Sequence, residues 1–471
     1  MFPGLTVAYW LTVHGLVTAV AVLLYAVTAH VLQQRRHPTA AIAWVLFILL
    51  MPYLALPAFL TFGSRKQARP RNRPLLALPV IDAAGPWAIQ TALALGQPPP
   101  AAYSELHVHA DGSEALAALW QTIDQARHTV DLCTFIIGRD AVGHGLIDRL
   151  CAKARAGVRV RLLLDGLGSL MRRHPSLAPL RAAGVQFTLF VPPLHSPLKG
   201  RTNLRDHRKL LVADAAFDTR RLWCGGRNLA SEYFEGQPGM PPWRDLTFDL
   251  RGALVCQAGA LFEHDWAFAS GSHRQVEARG RCAEAADAAG VAGVAGAQMI
   301  ASGPDQSDDT VYSLLVTAAY RAHRRMALVT PYFVPDSALL TALCLAARRG
   351  VQVDLLLPAR SNHRISDVAR RRALRTLAGA GVNLWVVPSM VHAKLAVIDD
   401  TLALAGSTNL DSRSLFLNYE LMVAFHDGEA IARFASWFEH ERASAVVLLP
   451  QRAGLFADIA EGLVLWTGFQ L

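Results

Sequence analysis

Hydrophobic positions along this chain fall into distinct regimes. Two unbroken apolar runs come first, Leu5 to Leu32 and Ala40 to Phe62, and neither contains Asp, Glu, Lys or Arg. Each is long enough to cross a hydrocarbon core of about 30 Å, which predicts a two-helix transmembrane hairpin over residues 1–63. The hairpin is not a cleaved leader, because "MFPGL" has no basic residue and a second run follows at once. Pro52 and Pro57 are expected to kink the second span. His14 and His30, within and at the end of the first, call for a helix–helix hydrogen bond or an interfacial position. Over residues 64–104 the pattern gives way to proline and alanine, as in "GQPPPAA", and predicts a linker with little regular structure.

Beyond the linker, short apolar runs alternate with amphipathic stretches, and the order occurs twice. "TVDLCTFII", "LIDRLCAKARAG", "VRVRLLLDG" and "GVQFTLFVP" are answered by "MALVTPYFV", "ALLTALCLAARRG", "VQVDLLLPA" and "GVNLWVVP". This predicts an α/β protein with two similar αβ halves, 105–275 and 299–471, joined by an Ala/Gly-rich linker over 276–298. The halves would form one pseudo-two-fold body. Strands alternating with helices imply parallel sheets with helices on both faces. The copies are not identical. Ten residues separate Asp214 from Gly225 against six between Asp399 and Gly406, so the first half has the longer hairpin. It also carries "PLHSPLKGRTNLRD", a candidate loop at the mouth of a site.

Chemistry enters where polar residues interrupt an apolar run. "DHRKLLVADA" holds His207, Lys209 and Asp214, and "VHAKLAVIDD" holds His392, Lys394 and Asp399. Each leads into a small-residue turn ending in asparagine, "CGGRN" with Asn228 and "AGSTN" with Asn409. Burying an imidazole beside an ammonium on a strand is costly unless an anion is held there. Two facing copies would surround one phosphate with two imidazoles, two ammonium groups and two amides. A phosphodiester needs a nucleophile and a proton for its leaving alcohol. Two histidines supply both, one by forming a phosphohistidine and the other as acid and then base. Asp245 in "WRDLTFD" and Glu420 in "LNYELMV", one downstream of each motif, are candidates to hold the far ring nitrogens. Asp214 and Asp399 complete the two motifs, yet their odd spacing from the histidines turns them away from the cleft, toward a structural role at the strand end. No Asp/Glu cluster has metal-ligand spacing, so no metal or other cofactor is expected.

Composition narrows the partners. Of 471 residues, 52% are hydrophobic and only 18% charged, which suits a membrane protein. The six cysteines have no metal spacing, and most read as buried thiols. A net charge of +9 admits nucleic acid, an anionic membrane or an acidic substrate. Its distribution favours the membrane. Arg65, Lys66, Arg69, Arg71 and Arg73 crowd together after the second span, and no run interleaves basic and aromatic residues as a nucleic-acid groove would. These five outnumber Arg35 and Arg36 in the hairpin turn, which sets the body on the cytoplasmic side.

Two copies of H-x-K-x-x-x-x-D resemble the phospholipase D superfamily. "GVRVRLLLDGLGS", "GGRNLASEYF", "TPYFVPD" and "GSTNLDSRSLFLNYE", together with the two spans, resemble its bacterial cardiolipin synthase branch over nearly the whole chain. The resemblance implies a phosphatidyltransferase of the bacterial inner membrane that converts two phosphatidylglycerol molecules into cardiolipin and glycerol without a cofactor. It implies His207 and His392 as the nucleophile and acid pair, with His207 attacking, and Lys209, Lys394, Asn228 and Asn409 as phosphate ligands. Spacing alone leaves the choice of nucleophile open. Phosphatidylethanolamine is an alternative second lipid, and attack by water, as in a phospholipase D, is the alternative reaction. "AAFDTRRLWC", "SMVHAKLAVID" and "ARRRALRTLAGAG" depart from the family pattern.

Overall fold

The structure is a computed structural model that describes residues 7–31, 38–62, 85–171, 174–192, 203–271, 296–306 and 308–467. The insertion expected at the mouth of the site (its residues 193–202), most of the Ala/Gly linker and the basic cluster Arg65 to Arg73 lie outside these residues.

The first apolar run forms one helix, α1 (Val7–Val31), but the second forms two, α2 (Pro38–Leu50) and α3 (Pro52–Phe62). The expected single span is thus broken rather than kinked at its first proline. Pro52 has no N–H, and its ring collides with the carbonyl four residues earlier, so the helix stops and restarts. Pro57 is accommodated inside α3. Ala21 and Tyr25 pack against Ile48, Ala55 and Phe59, with the Tyr25 and Phe59 rings 5.0 Å apart, edge to face. His14 meets Tyr53 across the helices, ring to ring at 5.8 Å. Among the described residues no helix is long and apolar enough to cross a membrane.

The stretch expected to be a linker is partly structured. It holds α4 (Trp87–Ala94), whose Ala88 and Ala92, four apart on one face, dock into the core of the second half. The proline run after it is a clamp. Gln298 Nε2 donates to Pro98 O at 2.9 Å, Ala301 N donates to Gln97 Oε1 at 2.9 Å, and Ala101 exchanges both backbone hydrogen bonds with Ala297.

The first half supplies β1 (Tyr103–Val108), β2 (Thr129–Thr134), β3 (Arg159–Leu164), β4 (Gln186–Leu189), β5 (Leu210–Ala213), β6 (Arg221–Gly225) and β7 (Thr247–Gly252), in the spatial order β1-β7-β6-β5-β2-β3-β4. The second supplies β8 (Ala297–Ser302), β9 (Arg325–Val329), β10 (Phe333–Val334), β11 (Gln352–Pro358), β12 (Asn383–Val387), β13 (Leu395–Ile398), β14 (Leu402–Gly406), β15 (Leu410–Asp411), β16 (Glu420–Phe425) and β17 (Val446–Val447). Its large sheet runs β8-β16-β14-β13-β9-β11-β12-β17, strand for strand the order of the first with β17 added, while β10 and β15 pair separately. Neither sheet is parallel throughout, contrary to expectation. Within the two large sheets only β2-β3-β4 and β9-β11-β12 run parallel; β5, β6 and β7 and their counterparts are antiparallel. Helical crossovers join the parallel strands, whereas the short β5–β6 and β13–β14 connections allow only hairpins.

Helices α5 (Gly112–Gln125), α6 (Ala141–Arg155), α7 (Gly166–Met171) and α8 (Ala178–Ala182) belong to the first half, and α9 (Leu254–Ser270) follows its last strand. The second half has α10 (Thr310–Arg321), α11 (Ser337–Arg348), α12 (Arg364–Gly379), α13 (Ser412–Phe416), α14 (Gly428–Ala443) and α15 (Leu455–Thr467). A central core joins the two sheets through Val255 and Phe262 of α9 and Phe434 and Phe438 of α14. Separate outer cores lie under α5, α6 and α8 on one side and α10, α11 and α12 on the other. Strands β5 and β13 are apolar at every position because both faces are covered: Leu210 and Val212 reach the central core, Leu211 and Ala213 the outer one. The cysteines among the described residues are buried free thiols.

Candidate active site

His207, Lys209, His392 and Lys394 lie in extended lead-ins just ahead of β5 and β13, not within the strands. Each lead-in is bridged to the opposite half. Asp206 pairs with Tyr419 and Val391 with Arg244, both parallel. His207 N donates to Tyr419 O at 2.9 Å, and His392 N to Arg244 O at 2.6 Å. The residue after each bridge partner is a carboxylate, so Glu420 comes to His207 and Asp245 to His392. The distances are 3.0 Å from His207 Nδ1 to Glu420 and 2.7 Å from His392 Nδ1 to Asp245. The orienting carboxylates expected from sequence are therefore at the histidines but crossed, each half holding the other's imidazole.

The two carboxylates are braced differently. Ser407 Oγ donates to Glu420 at 2.6 Å, and Asn418 Nδ2 donates to its other oxygen at 3.2 Å. At the equivalent of Ser407 stands Gly226, where a Cβ would sit 2.2 Å from Asp245 Oδ1. The G-[GS] alternation therefore reflects which carboxylate fills the space.

Electrostatics couple the halves. Burial pushes His207 down to about 4 and His392 to about 3, and each also feels the lysine of the opposite motif. Burial likewise lowers Lys209 to about 8 and Lys394 to about 7. It acts upward on Asp245 and Glu420, yet the facing histidine and the lysine ammonium groups outweigh it and hold both carboxyls below their usual range. Lys394 Nζ lies 2.8 Å from His392 Nδ1 and 3.1 Å from Nε2, and Lys209 Nζ donates to His207 O at 2.6 Å. Asn228 and Asn409 are buried nearby in their turns, donating to Tyr233 Oη at 2.8 Å and Ser414 Oγ at 3.1 Å. Both of their side-chain oxygens are buried without a partner among the described residues.

Asp214 and Asp399 sit at the far ends of β5 and β13, away from the imidazoles. Asp214 accepts from the amides of Arg127, His128 and Thr129 at 2.7–2.9 Å, and Asp399 from those of His323, Arg324 and Arg325 at 2.8–2.9 Å. Motif membership alone would put them among the catalytic groups; the geometry makes them clasps on the start of β2 and β9. Both take left-handed backbone angles, φ 50 and 47, which aspartate tolerates better than most residues.

Sequence reasoning missed the aromatic surroundings. Tyr233, Trp243 and Tyr332 stand around His392 at ring distances of 5.1, 5.7 and 6.4 Å, whereas His207 meets Phe135 at 5.2 Å. Only the repeated placement of Phe135 and Tyr332 shortly after β2 and β9 hinted at them. Also missed was Arg208, fully buried between the halves, which binds Asp265 and donates to Glu420 O at 3.0 Å and Ser302 O at 3.2 Å.

A fold of two sheets sharing one order, with paired His–Lys motifs meeting between them, defines a phospholipase D-like phosphodiester-transfer protein. The chain belongs to the cardiolipin synthase family of that class. The model described as "Cardiolipin synthase, PLD-like domain" matches residues 119–238 and 315–442, and "Phospholipase_D-nuclease N-terminal" matches residues 19–64. Cardiolipin synthase A of Pseudomonas aeruginosa is 32% identical over 465 residues, covering 93% of this chain and 91% of that one. Cardiolipin synthase 1 of Bacillus cereus is 27% identical over 438 residues, covering 87% and 84%. The crystal structure of phosphatidylserine synthase from Haemophilus influenzae shares the fold, with a TM-score of 0.61 at 13% identity over 82% of this chain and all of that one.

Proposed function

We propose that the chain converts two phosphatidylglycerol molecules into cardiolipin and free glycerol through a phosphohistidine. Cardiolipin synthesis from phospholipids is the activity of its family. The observation that carries the finer reading is the crossed pair of His–carboxylate contacts, which draws both His–Lys motifs into one cleft.

In this reading the lipid phosphate lies between Lys209 and Lys394, whose ammonium groups neutralise its nonbridging oxygens. Tyr233 and Ser414 hydroxyls can donate to the orphaned oxygens of Asn228 and Asn409, which frees each amide nitrogen for phosphate. Glu420 holds His207 Nδ1–H, leaving Nε2 to attack phosphorus. The P–N bond forms as the P–O bond to glycerol breaks, and His392 gives the departing oxygen its proton. His392 then takes a proton from a headgroup hydroxyl of the second lipid, which attacks the phosphohistidine and releases His207. His207 as nucleophile is supported by its greater exposure, 12% of its side chain against 5% for His392. The aromatic rings around His392 favour lipid over water as acceptor. In this reading the hairpin ends at 63 and the halves run 105–275 and 299–471, although β1 and β8 begin slightly earlier, at Tyr103 and Ala297.

The helices α1–α3 anchor the chain in the bacterial inner membrane as a two-span hairpin, with the body on the cytoplasmic side. The support is that α1 runs 25 residues without a charge, that Leu16 and Leu23 are 66% and 63% exposed, and that basic residues follow the hairpin.

Mass spectrometry of products from phosphatidylglycerol vesicles, with and without phosphatidylethanolamine, tests the reading. Cardiolipin with free glycerol is expected; phosphatidic acid alone would mean that water intercepts the intermediate. A second prediction is that EDTA leaves turnover unchanged, because the lysines supply the charge neutralisation. Activity lost to EDTA and restored by Mg²⁺ would count against it.

A further inference from the structure

Helix α15 pairs its charges with α12 and exposes its apolar side. Its two acids turn inward to α12: Asp458 accepts from Arg372 and Arg375 at 3.0 and 3.2 Å, and Glu461 accepts from Arg375 at 2.6 Å. Leu455, Phe456 and Ile459 face outward, 74%, 87% and 52% exposed. Val446, Val447 and Leu449, in the segment leading into α15, are exposed as well. Single exposed leucines are ordinary, but large apolar side chains gathered on a helix whose acids are paired inside mark an interaction surface. The neighbouring helix adds cations that these acids only partly cover: Arg371 stands 4.0 Å from Glu461 and Arg372 3.0 Å from Asp458, yet their side chains are 60% and 54% exposed. Ile365, 55% exposed, adds a separate apolar side chain at the start of α12. That start adjoins the active site, because the ring of His363 lies 5.3 Å from that of Tyr332, which in turn lies 6.4 Å from His392.

We propose that α12 and α15 form a docking platform that seats the mouth of the active site on an anionic lipid surface. Leu455, Phe456 and Ile459 enter the headgroup–acyl boundary, and Arg371 and Arg372 meet lipid phosphates. Charge complementarity selects this occupant: apolar side chains beside arginines match a layer with a hydrocarbon interior and an anionic face. The proposal rests on the lipid-substrate reading and extends it, since the body then has its own hold on the bilayer beside the N-terminal hairpin.

The test uses the full chain, with Cys282→Ser to remove the one cysteine outside the described residues, reconstituted in phosphatidylglycerol-rich vesicles. An environment-sensitive fluorophore is attached at Phe456→Cys. Its emission is expected to shift to the blue and to be quenched by doxyl-labelled lipids, while the same label at Asp218→Cys, a fully exposed side chain in the β5–β6 hairpin, is unaffected. A label at Phe456 that doxyl lipids do not quench overturns the proposal. So does a blue shift that grows only with protein-to-lipid ratio, which would assign the face to a second copy. Neither readout depends on turnover, so failure here is distinct from failure to make cardiolipin. In parallel, Leu455→Glu with Phe456→Glu should lower cardiolipin formation on vesicles about tenfold yet spare turnover of a short-chain, monomeric phosphatidylglycerol. Equal loss on both substrates would mean damage to the body instead of lost docking.

Discussion

At the scale of single residues, the two histidines define what can be measured. Replacing either His207 or His392 by alanine should lower cardiolipin formation at least about 10³-fold, because nucleophile and proton carrier act in sequence. The melting temperature should stay within a few degrees, and near-normal turnover in either variant would remove the shared-cleft model. Both imidazoles are neutral at pH 7, being held at about 4 and about 3 instead of 6.5. The leaving alcohol nevertheless needs a proton. Binding of a phosphodiester analogue should therefore take up about one proton, as the anion raises an imidazole toward its ordinary range. Calorimetry in buffers of different ionisation enthalpy reads this directly, and a buffer-independent heat would refute it. The sign for stability follows. An unfolded histidine charges below 6.5 whereas the folded one resists until about 4, so these residues cost stability as pH falls through that window and not above it.

At the scale of elements, the motif aspartates explain why each motif ends as it does. Asp214 and Asp399 each gather three backbone amides at the start of a neighbouring strand, tying that start to the end of β5 or β13. Asp214→Ala should cost about 2–3 kcal/mol of stability. Activity per folded molecule should survive, and chemical denaturation together with turnover below the melting range separates the two. Loss of activity without loss of stability would return Asp214 to the catalytic set. The helices of the N-terminal hairpin carry a related lesson. Pro52 ends α2 because an imino nitrogen cannot donate, while Pro57 in α3 is tolerated, so local sequence identified both prolines but not which would break the run.

At the scale of the whole molecule, the halves depend on each other. His207 relies on Glu420, 213 residues away, and His392 on Asp245, 147 residues away. A chain cut between Gly271 and Gly296 should be inactive as either piece alone and regain activity when both are co-expressed. Turnover by one piece would show that a half completes a site unaided. Much of this was legible beforehand. The duplicated His–Lys–Asp motifs, the asparagine turns, the two αβ halves and even the orienting carboxylates follow from residue type and period, because buried strands and paired ionisable groups leave a local trace. The antiparallel hairpins, the clamp made by Gln97 to Ala101, the inverted surface of α15 and the crossing of Asp245 and Glu420 left none. The sequence by itself determined which groups are present and how often they recur, since each is written within a few residues. Only the tertiary structure decided which partner each group meets, because backbone bridges such as Asp206 with Tyr419 and Arg244 with Val391 join segments whose separation along the chain carries no local signal.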